Sequence, residues 1–131
     1  MKKPLIRSGG MLMEANPGEL LAGNLLPASN ATVGAGTLTA AQIASGCILR
    51  TASGGAVTDT TDTAVNIIAA MPNLEIGDSF ICYYSNQNAA IMTLAGGVGV
   101  TASGTLATAA STMKVVLFTK TSATTMTMVA L

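Results

Sequence analysis

Histidine and tryptophan are absent from this chain of 131 residues, and only 9% of its residues carry a charge. General acid–base catalysis relies most often on histidine, and metal centres need clusters of histidine, cysteine or carboxylate side chains. The scarcity of these groups makes an enzyme the least favoured class. Small uncharged residues, above all alanine, threonine and glycine, take their place. Such residues suit backbone-rich structure that packs against other copies or a larger surface, which indicates an assembly protein.

The six basic and six acidic residues leave the chain with no net charge. Proteins gain affinity for nucleic acid mainly from basic patches that neutralise phosphates, and here only Lys2, Lys3 and Arg7 lie near one another. We therefore expect no nucleic-acid partner. Apolar runs stop well short of the roughly 20 residues that span a membrane. Pro4 and Arg7 also interrupt any signal-peptide core that begins at Met1. We expect no membrane partner and a product that is not secreted.

Aromatic residues make up only 3% of the chain. One aromatic side chain buries about 150–250 Å², so a core built without them is thin, and oligomerisation is a common remedy. The length supports a single core. Residues 1–27 contain three of the four prolines and too little apolar mass to fold alone. We interpret residues 1–27 as an N-terminal arm with a small hairpin, and residues 28–131 as a single β-rich domain.

Short strands separated by turn residues dominate the predicted secondary structure of residues 28–131. The strongest strand is predicted at residues 79–84, and residues 90–94 are its expected hairpin partner. Residues 113–120 and 124–131 form a predicted final pair. Further strands are predicted at residues 31–38, 47–51 and 98–100, with a weaker one at Leu106.

One convincing helix is predicted at residues 63–71, with Asp62 or Thr61 as its cap and Pro72 as its stop. Residues 39–44 suit one or two helical turns, with Thr39 as the cap. Strands spaced by roughly 8–12 residues are typical of sandwiches and jelly rolls. The predicted fold class is therefore mostly β: a β-sandwich or jelly-roll-like domain with one short helix and an extended N-terminal arm.

No motif in the chain carries the pattern of a catalytic, cofactor-binding or metal site. The glycines at positions 96, 97 and 99 follow a predicted strand, but no helix and no Lys–Ser/Thr pair follows them, so a phosphate loop is excluded. Four acidic residues are considered as calcium ligands, but they do not have the spacing of a calcium-binding loop. Helix capping and solvent-exposed loop positions are the favoured roles for them. These acidic residues are Asp59, Asp62, Glu75 and Asp78.

The cysteine and lysine residues also do not indicate a metal site or a catalytic site. Without histidine or a CxxC pair, Cys47 and Cys82 do not form a zinc site. Free buried thiols are favoured for them, and a disulfide stays open. A serine nucleophile would need Lys114 or Lys120 as its base, and these lysines are more typical of a protected edge strand. We predict no catalytic residue, no cofactor and no metal.

Two stretches of the chain carry a resemblance to a known class of proteins. Residues 6–14 (IRSGGMLME) run into residues 17–20 (PGEL), a pattern similar to "GG-x-L-x-E…P-G-D-x-L" with Glu19 in place of the usual aspartate. The second stretch comprises residues 38–46, 50–51, 59–64 and 76–80. In order and composition these stretches resemble small structural proteins of tailed-bacteriophage virions, most of all capsid cement or decoration proteins and head-fibre or tail-fibre modules.

The resemblance implies a β-rich protein that binds the outer surface of a phage capsid and stabilises it by bridging capsomers. The implied partners are the major capsid protein of the same particle and further copies of this chain, as a trimer in preference to a dimer. The implied location is the virion, after synthesis in the host cytoplasm. We place the interface with the shell or an adjacent subunit in the arm, at Pro4, Leu5, Ile6, Arg7, Met11, Leu12, Met13 and Leu20.

Two alternatives stand beside the cement protein. The first is a head-fibre, tail-fibre or spike module that acts as an adhesin or a connector. The second is a carbohydrate-binding module, because sugar sites present aromatic faces and Tyr83 and Tyr84 are adjacent. Strand alternation sends these two side chains to opposite faces of a sheet, which counts against the sugar-binding hypothesis.

Overall fold

The computed structural model describes residues 27–131 and, within the arm, the backbone of two short strands. The strands of this part of the chain are β1 (Leu5–Ser8), β2 (Met11–Glu14), β3 (Ala28–Asn30), β4 (Thr37–Leu38), β5 (Cys47–Arg50), β6 (Val57–Thr61), β7 (Ser79–Asn86), β8 (Met92–Ala95), β9 (Val100–Ser103), β10 (Ala107–Thr108), β11 (Thr112–Lys120) and β12 (Met126–Ala130). The helices are α1 (Ala40–Ala44) and α2 (Ala64–Ala70). Neither of these described helices is long and apolar enough to cross a membrane.

The described strands form one small and two larger sheets. β1 and β2 pair only with each other, a four-stranded sheet has the order β10-β8-β6-β4, and a six-stranded sheet has the order β3-β5-β7-β11-β12-β9. Both larger sheets are mixed. β3, β5 and β7 run parallel, as do β4, β6 and β8, whereas β11 is antiparallel to β7 and to β12.

One apolar core contains side chains from both larger sheets and both helices. Phe80 of β7 and Phe118 of β11 lie opposite each other in the ladder, and their rings stack with centroids 5.2 Å apart. Ile43 of α1 and Ile67 of α2 are fully buried in the same core. Because aromatic residues are few, aliphatic and methionine side chains fill the space around this one stacked pair.

The structure confirms the prediction of a mostly-β fold, since strands account for 44% of it. β5, β7, β11 and β12 lie where the sequence predicted strands, and β11 and β12 form the predicted final pair. The finer prediction of a sandwich or jelly-roll-like arrangement stays a prediction. The structure contains two short helices where the fold-class prediction had one. α1 lies within residues 39–44, which were expected to form one or two helical turns, and Thr39 is its cap as predicted.

Two strand predictions were also wrong. Residues 31–38 are mostly a loop, since the Asn30 side chain accepts the N–H of Thr32 over 3.1 Å and turns the chain after β3. Residues 90–94 were expected to pair with β7, yet β8 pairs with β6 and β10. Both edges of β7 are already occupied by β5 and β11, so β8 joins the other sheet.

Both helices begin after a threonine whose side chain caps the first turn. Thr39 and Gln42 form a reciprocal capping box at α1, as the hydroxyl of Thr39 accepts the N–H of Gln42 over 3.2 Å. The cap of α2 is Thr63, which corrects the expectation of Asp62 or Thr61. Asp62 instead accepts the N–H of Ala40 over 3.1 Å and so ties the start of α1 to the start of α2.

The outward faces of the two larger sheets differ in chemistry. Alternation along the strands turns one set of side chains to the core and the other set away from it. On the four-stranded sheet the outward set consists of Thr37, Thr58, Thr60, Thr93, Ala95 and Ala107. On the six-stranded sheet we call the apolar members of the outward set the apolar outer face; they are Cys47, Leu49, Ile81, Tyr83, Met113, Val115, Leu117 and Val129. Ser85 lies between Leu49 and Met113, and the outward row of Ser79, Thr119 and Thr127 borders the apolar outer face.

Candidate functional site

A buried ion pair joins the two larger sheets at the carboxyl-terminal end of β5. Arg50 ends β5, Asp59 lies in β6, and both side chains are 0% exposed. Nε of Arg50 donates to Oδ2 of Asp59 over 2.6 Å, and Nη2 donates to Oδ1 over 3.0 Å. Contact with both carboxylate oxygens fixes the orientation of the pair as well as its separation. The pair therefore fixes one sheet relative to the other at this end.

Every guanidinium donor of Arg50 has an acceptor inside the protein. Nη1 donates to the carbonyl oxygens of Thr32 and Ala52, and Nη2 donates to that of Gly34 over 2.6 Å. Together with the two bonds to Asp59, these bonds use the full set of guanidinium N–H groups. No donor of Arg50 is left for a ligand, so its role is to hold the backbone around it.

The carboxylate of Asp59 is equally engaged. It accepts the hydroxyl of Tyr84 over 2.6 Å and the backbone N–H of Gly36 over 2.8 Å. Burial opposes the charge of Asp59, but the hydrogen bonds from Arg50, Tyr84 and Gly36 outweigh burial and lower its pKa. The bond to Asp59 raises the pKa of Arg50, and burial followed by the same carboxylate raises the pKa of Tyr84. The network is thus satisfied with Asp59 and Arg50 charged and Tyr84 neutral.

Three segments follow the carboxyl-terminal ends of the parallel strands β3, β5 and β7. They comprise residues 31–36, 51–56 and 87–91, and we call them the loop end. Because parallel strands end at the same edge of a sheet, these segments lie side by side. Arg50 binds carbonyl oxygens in the first two of them.

Further hydrogen bonds tie the three segments together. The N–H of Gly34 donates to the carbonyl of Ser53 over 2.7 Å, which joins the first segment to the second. The side-chain amide of Asn88 donates to the carbonyl of Arg50 over 2.8 Å, which joins the third segment to β5. The buried amide of Asn86 donates over 2.8 Å to a carbonyl of the third segment. The loop end is therefore held by the side chains of Arg50 and Asn86, which come from the strands, and by hydrogen bonds that the loop segments themselves make.

Two large apolar side chains project from the loop end into solvent. Val33 is 77% exposed and Ile91 is 54% exposed. Loops that a rigid scaffold positions are frequent binding surfaces, and a loop that is already ordered loses less entropy when it binds. Covering one such side chain contributes about 1.5–3 kcal/mol. The arrangement can supply apolar contact and backbone hydrogen bonds, and its three segments contain no acidic or basic side chain.

The acidic residues considered as calcium ligands serve other purposes. Asp59 is held by Arg50, Asp62 joins the helix starts, and Asp78 accepts the N–H of Glu75 over 2.8 Å. Among residues 27–131, no group of three or more histidine, cysteine or acidic residues could hold a metal ion. A cavity between the larger sheets has a volume of ≈ 10 Å³, whereas ligand pockets usually measure about 300 Å³ or more.

Both cysteines are free thiols. Cys82 faces the core, whereas Cys47 lies opposite Tyr83 on the apolar outer face. Burial, followed by the nearby Cys47, raises the pKa of Cys82 to about 12. Burial also raises the pKa of Cys47. Neither thiol has the lowered pKa that marks a reactive cysteine.

The edge-strand interpretation of Lys114 and Lys120 was wrong. Both lie in β11, which is flanked by β7 and β12. They occupy the core-facing positions at the two ends of this strand, and Nζ of Lys120 donates to the carbonyl of Leu74 over 2.7 Å. Lys120 therefore fixes the connection before β7.

The arm residues predicted as an interface lie in β1, in β2 or outside the described residues. Leu5, Ile6 and Arg7 are in β1, and Met11, Leu12 and Met13 are in β2. These strands pair antiparallel, with Ile6 opposite Met13. Pro4 and Leu20 lie outside the described residues. The interface role of all eight stays a prediction.

Sequence reasoning missed the loop end and the pair that holds it. The available signal was a charged residue at an apolar position, because Ile48 and Arg50 share one face of β5. A buried arginine needs an acidic partner. The sequence did not indicate that Asp59 is that partner, since β6 itself was not predicted.

Because folding lowers the pKa of Asp59, the free energy of unfolding depends on pH in the acidic range. An unfolded aspartate has a pKa near 3.8, and the folded value lies below it. The stabilisation is therefore complete above 3.8 and is lost as the pH falls through the folded pKa. We expect the free energy of unfolding to fall in this acidic range, and to fall less steeply in the Asp59→Asn variant. The ¹³C shift of the Asp59 carboxyl carbon measures the pKa directly. Titration at or above 3.8 would contradict the prediction.

Neither a protein-family model, nor a curated protein, nor a solved structure matches this chain.

Proposed function

We propose that this chain is a structural protein of a tailed-bacteriophage virion. In this proposal it binds the outer surface of the capsid and stabilises the shell by bridging capsomers. Its partners are the major capsid protein and further copies of itself, with a trimer favoured over a dimer. Two features support the proposal: the chemistry of the loop end, and the resemblance carried by residues 6–14, 17–20, 38–46, 50–51, 59–64 and 76–80.

The loop end is the observation that carries the proposal. It combines an internally satisfied polar network with the exposed side chains of Val33 and Ile91. An enzyme would direct charged groups towards a substrate, whereas Arg50 and Asp59 direct all of theirs inward. A pre-ordered apolar surface suits a protein whose task is adhesion to a fixed lattice.

Oligomerisation would strengthen a weak contact of this kind. A stable interface buries about 1,600 Å² in total, and a single loop end provides only part of that area. A trimer presents a loop end from each subunit to the repeating shell. Each bound subunit then raises the effective concentration of the others. Modest contacts therefore add up to firm attachment.

Quantitative mass spectrometry of purified virions tests the proposal. The virions must come from the genome that encodes this chain. A copy number comparable to that of the major capsid protein supports a cement role across the lattice. A handful of copies supports the alternative, a head-fibre, tail-fibre or spike module. Absence of the chain from virions overturns both.

Charge placed on the loop end should weaken attachment. We expect Val33→Asp and Ile91→Asp each to reduce binding to particles that lack the chain by at least tenfold, about 1.4 kcal/mol. An aspartate there would have to lose its hydration without gaining a partner. Co-sedimentation with increasing protein measures the affinity.

Ile76→Asp is the matched control for these variants. Ile76 is 67% exposed, but it precedes β7 and so lies at the opposite end of the six-stranded sheet from the loop end. This variant should bind normally. Equal losses in all three variants would show that attachment does not use the loop end.

A further inference from the structure

The apolar outer face contains two adjacent apolar rows that cross the centre of the six-stranded sheet. Cys47, Tyr83 and Val115 lie side by side on β5, β7 and β11. The adjacent row contains Leu117 and Val129, opposite each other on β11 and β12. Directly opposed residues on antiparallel strands have Cβ atoms about 4.5–5.5 Å apart, which brings Tyr83 close to Val115 and Leu117 close to Val129. No charged residue interrupts these two rows, and in the next row Ser85 lies between Leu49 and Met113.

The four-stranded sheet shows what a solvated face of this same domain looks like. Its outward positions carry threonine and alanine, with Thr37 opposite Thr60 and Thr58 opposite Thr93. Hydroxyl groups bond readily to water, whereas leucine, valine and isoleucine do not. A contiguous apolar patch on a soluble domain usually marks a contact surface. The contrast indicates that the apolar outer face is covered.

The hairpin formed by β1 and β2 needs to pack against another part of the protein to be stable. It belongs to neither larger sheet, and an isolated two-stranded hairpin is marginally stable at best in water. β2 lies against β7. Both edges of β7 are occupied by β5 and β11, and its inward side chains, such as Tyr84, are buried in the core. Away from the two ends of β7, its outward side is what remains for β2.

The chain between β2 and β3 is long enough for this placement. The residues between Glu14 and Ala28 reach roughly 40 Å when extended at about 3.3 Å per residue. β3 is two strands away from β7, a distance of about 10 Å. The hairpin of a chain can therefore cover the sheet of that same chain without strain.

We propose that the N-terminal hairpin β1–β2 covers the apolar outer face of its own six-stranded sheet. The arm is then a strap on the domain in the free protein. This inference goes beyond the proposed function and does not depend on it, because it concerns the chain before any particle is present.

Disulfide trapping in the full-length protein tests the inference. In a Cys47→Ser background, Tyr83→Cys places a thiol on β7, and Met11→Cys, Leu12→Cys or Met13→Cys places a second one on β2. We expect mild oxidation to join at least one of these pairs within a single chain, as read by peptide mapping. Cys82 is 2% exposed and stays out of the reaction. The matched control replaces Tyr83→Cys with Thr93→Cys, which lies on the outward face of the other sheet, and keeps the same cysteine on β2. This control pair should form at least tenfold less disulfide.

Each outcome of this experiment decides the question. A disulfide within one chain supports the strap. A disulfide between chains would show that the hairpin of a second copy covers the face, which overturns the proposal. Failure of all three pairs to form a disulfide also overturns it. Particles are not used, so none of these results bears on attachment to the capsid.

The natural thiol of Cys47 gives a second readout. It lies on the apolar outer face, so the hairpin should slow its modification by a maleimide. We expect Met11→Asp combined with Met13→Asp to speed this modification at least tenfold, while Cys82 stays unmodified. An unchanged rate for Cys47 would count against the strap even if the trapping variants failed to fold.

Discussion

Replacing Arg50 with methionine is expected to lower the free energy of unfolding by about 3–5 kcal/mol. The variant keeps much of the side-chain volume but leaves the carboxylate of Asp59 buried without its cation. The carbonyl oxygens of Thr32, Gly34 and Ala52 also lose the donor that they share. Equilibrium denaturation with urea measures the loss. Hydrogen exchange should show that opening is concentrated in residues 31–36 and 51–56.

Two further variants distinguish the loss of the buried ion pair from a general effect of charge on stability. Lys114→Met removes a positive charge from the end of β11 and should change stability far less, because Lys114 is not part of the network. Arg50→Met combined with Asp59→Leu should recover part of the loss, since no unpaired charge remains. A loss below about 1 kcal/mol in Arg50→Met would be typical of an exposed pair and would contradict this account.

Gly97→Ala is expected to cost about 3 kcal/mol or more, at the upper end of overpacking. Gly97 lies between β8 and β9, beside the backbone that leads from β6 into α2. A Cβ atom at this position would overlap the carbonyl oxygen of Thr61 and lie 2.7 Å from that of Asp62. Both obstacles are backbone atoms, so no side chain can rotate away. Thermal and urea denaturation of the purified variant measure the effect.

Gly77→Ala is the control that separates the steric effect of an added Cβ atom from the effect of backbone conformation. Gly77 has a φ of +94°, yet nothing lies within 4 Å of its Cβ position. Its substitution should cost about 1–2 kcal/mol, the penalty for a left-handed conformation alone. Equal losses at Gly97 and Gly77 would contradict the steric explanation.

Local alternation made part of this fold predictable. β7 places Phe80, Cys82 and Tyr84 on one face and Ile81 and Tyr83 on the other, and this period of two is visible in the sequence. The neighbouring strands β11 and β12 follow each other through a short turn, so their pairing is local as well.

The remaining pairings depend on contacts between distant parts of the chain. β6 was missed because its sequence, VTDTT, is polar, and Asp59 is buried in it only because Arg50 arrives from another strand. β8 was assigned to β7 because it follows β7, whereas occupied edges send it elsewhere. The candidate site depends on these same pairings, which explains why its residues were not identified from the sequence.

The parallel pairing of β5 with β7 has a consequence for biosynthesis. Parallel neighbours have to be joined by long connections, and such topologies fold slowly. While folding is incomplete, a charge-free sheet face is open to aggregation. The hairpin β1–β2 leaves the ribosome before every strand of the sheet that we propose it covers. If the hairpin covers the sheet as proposed, the covering segment is synthesised before the sheet and is already present when the apolar outer face begins to form.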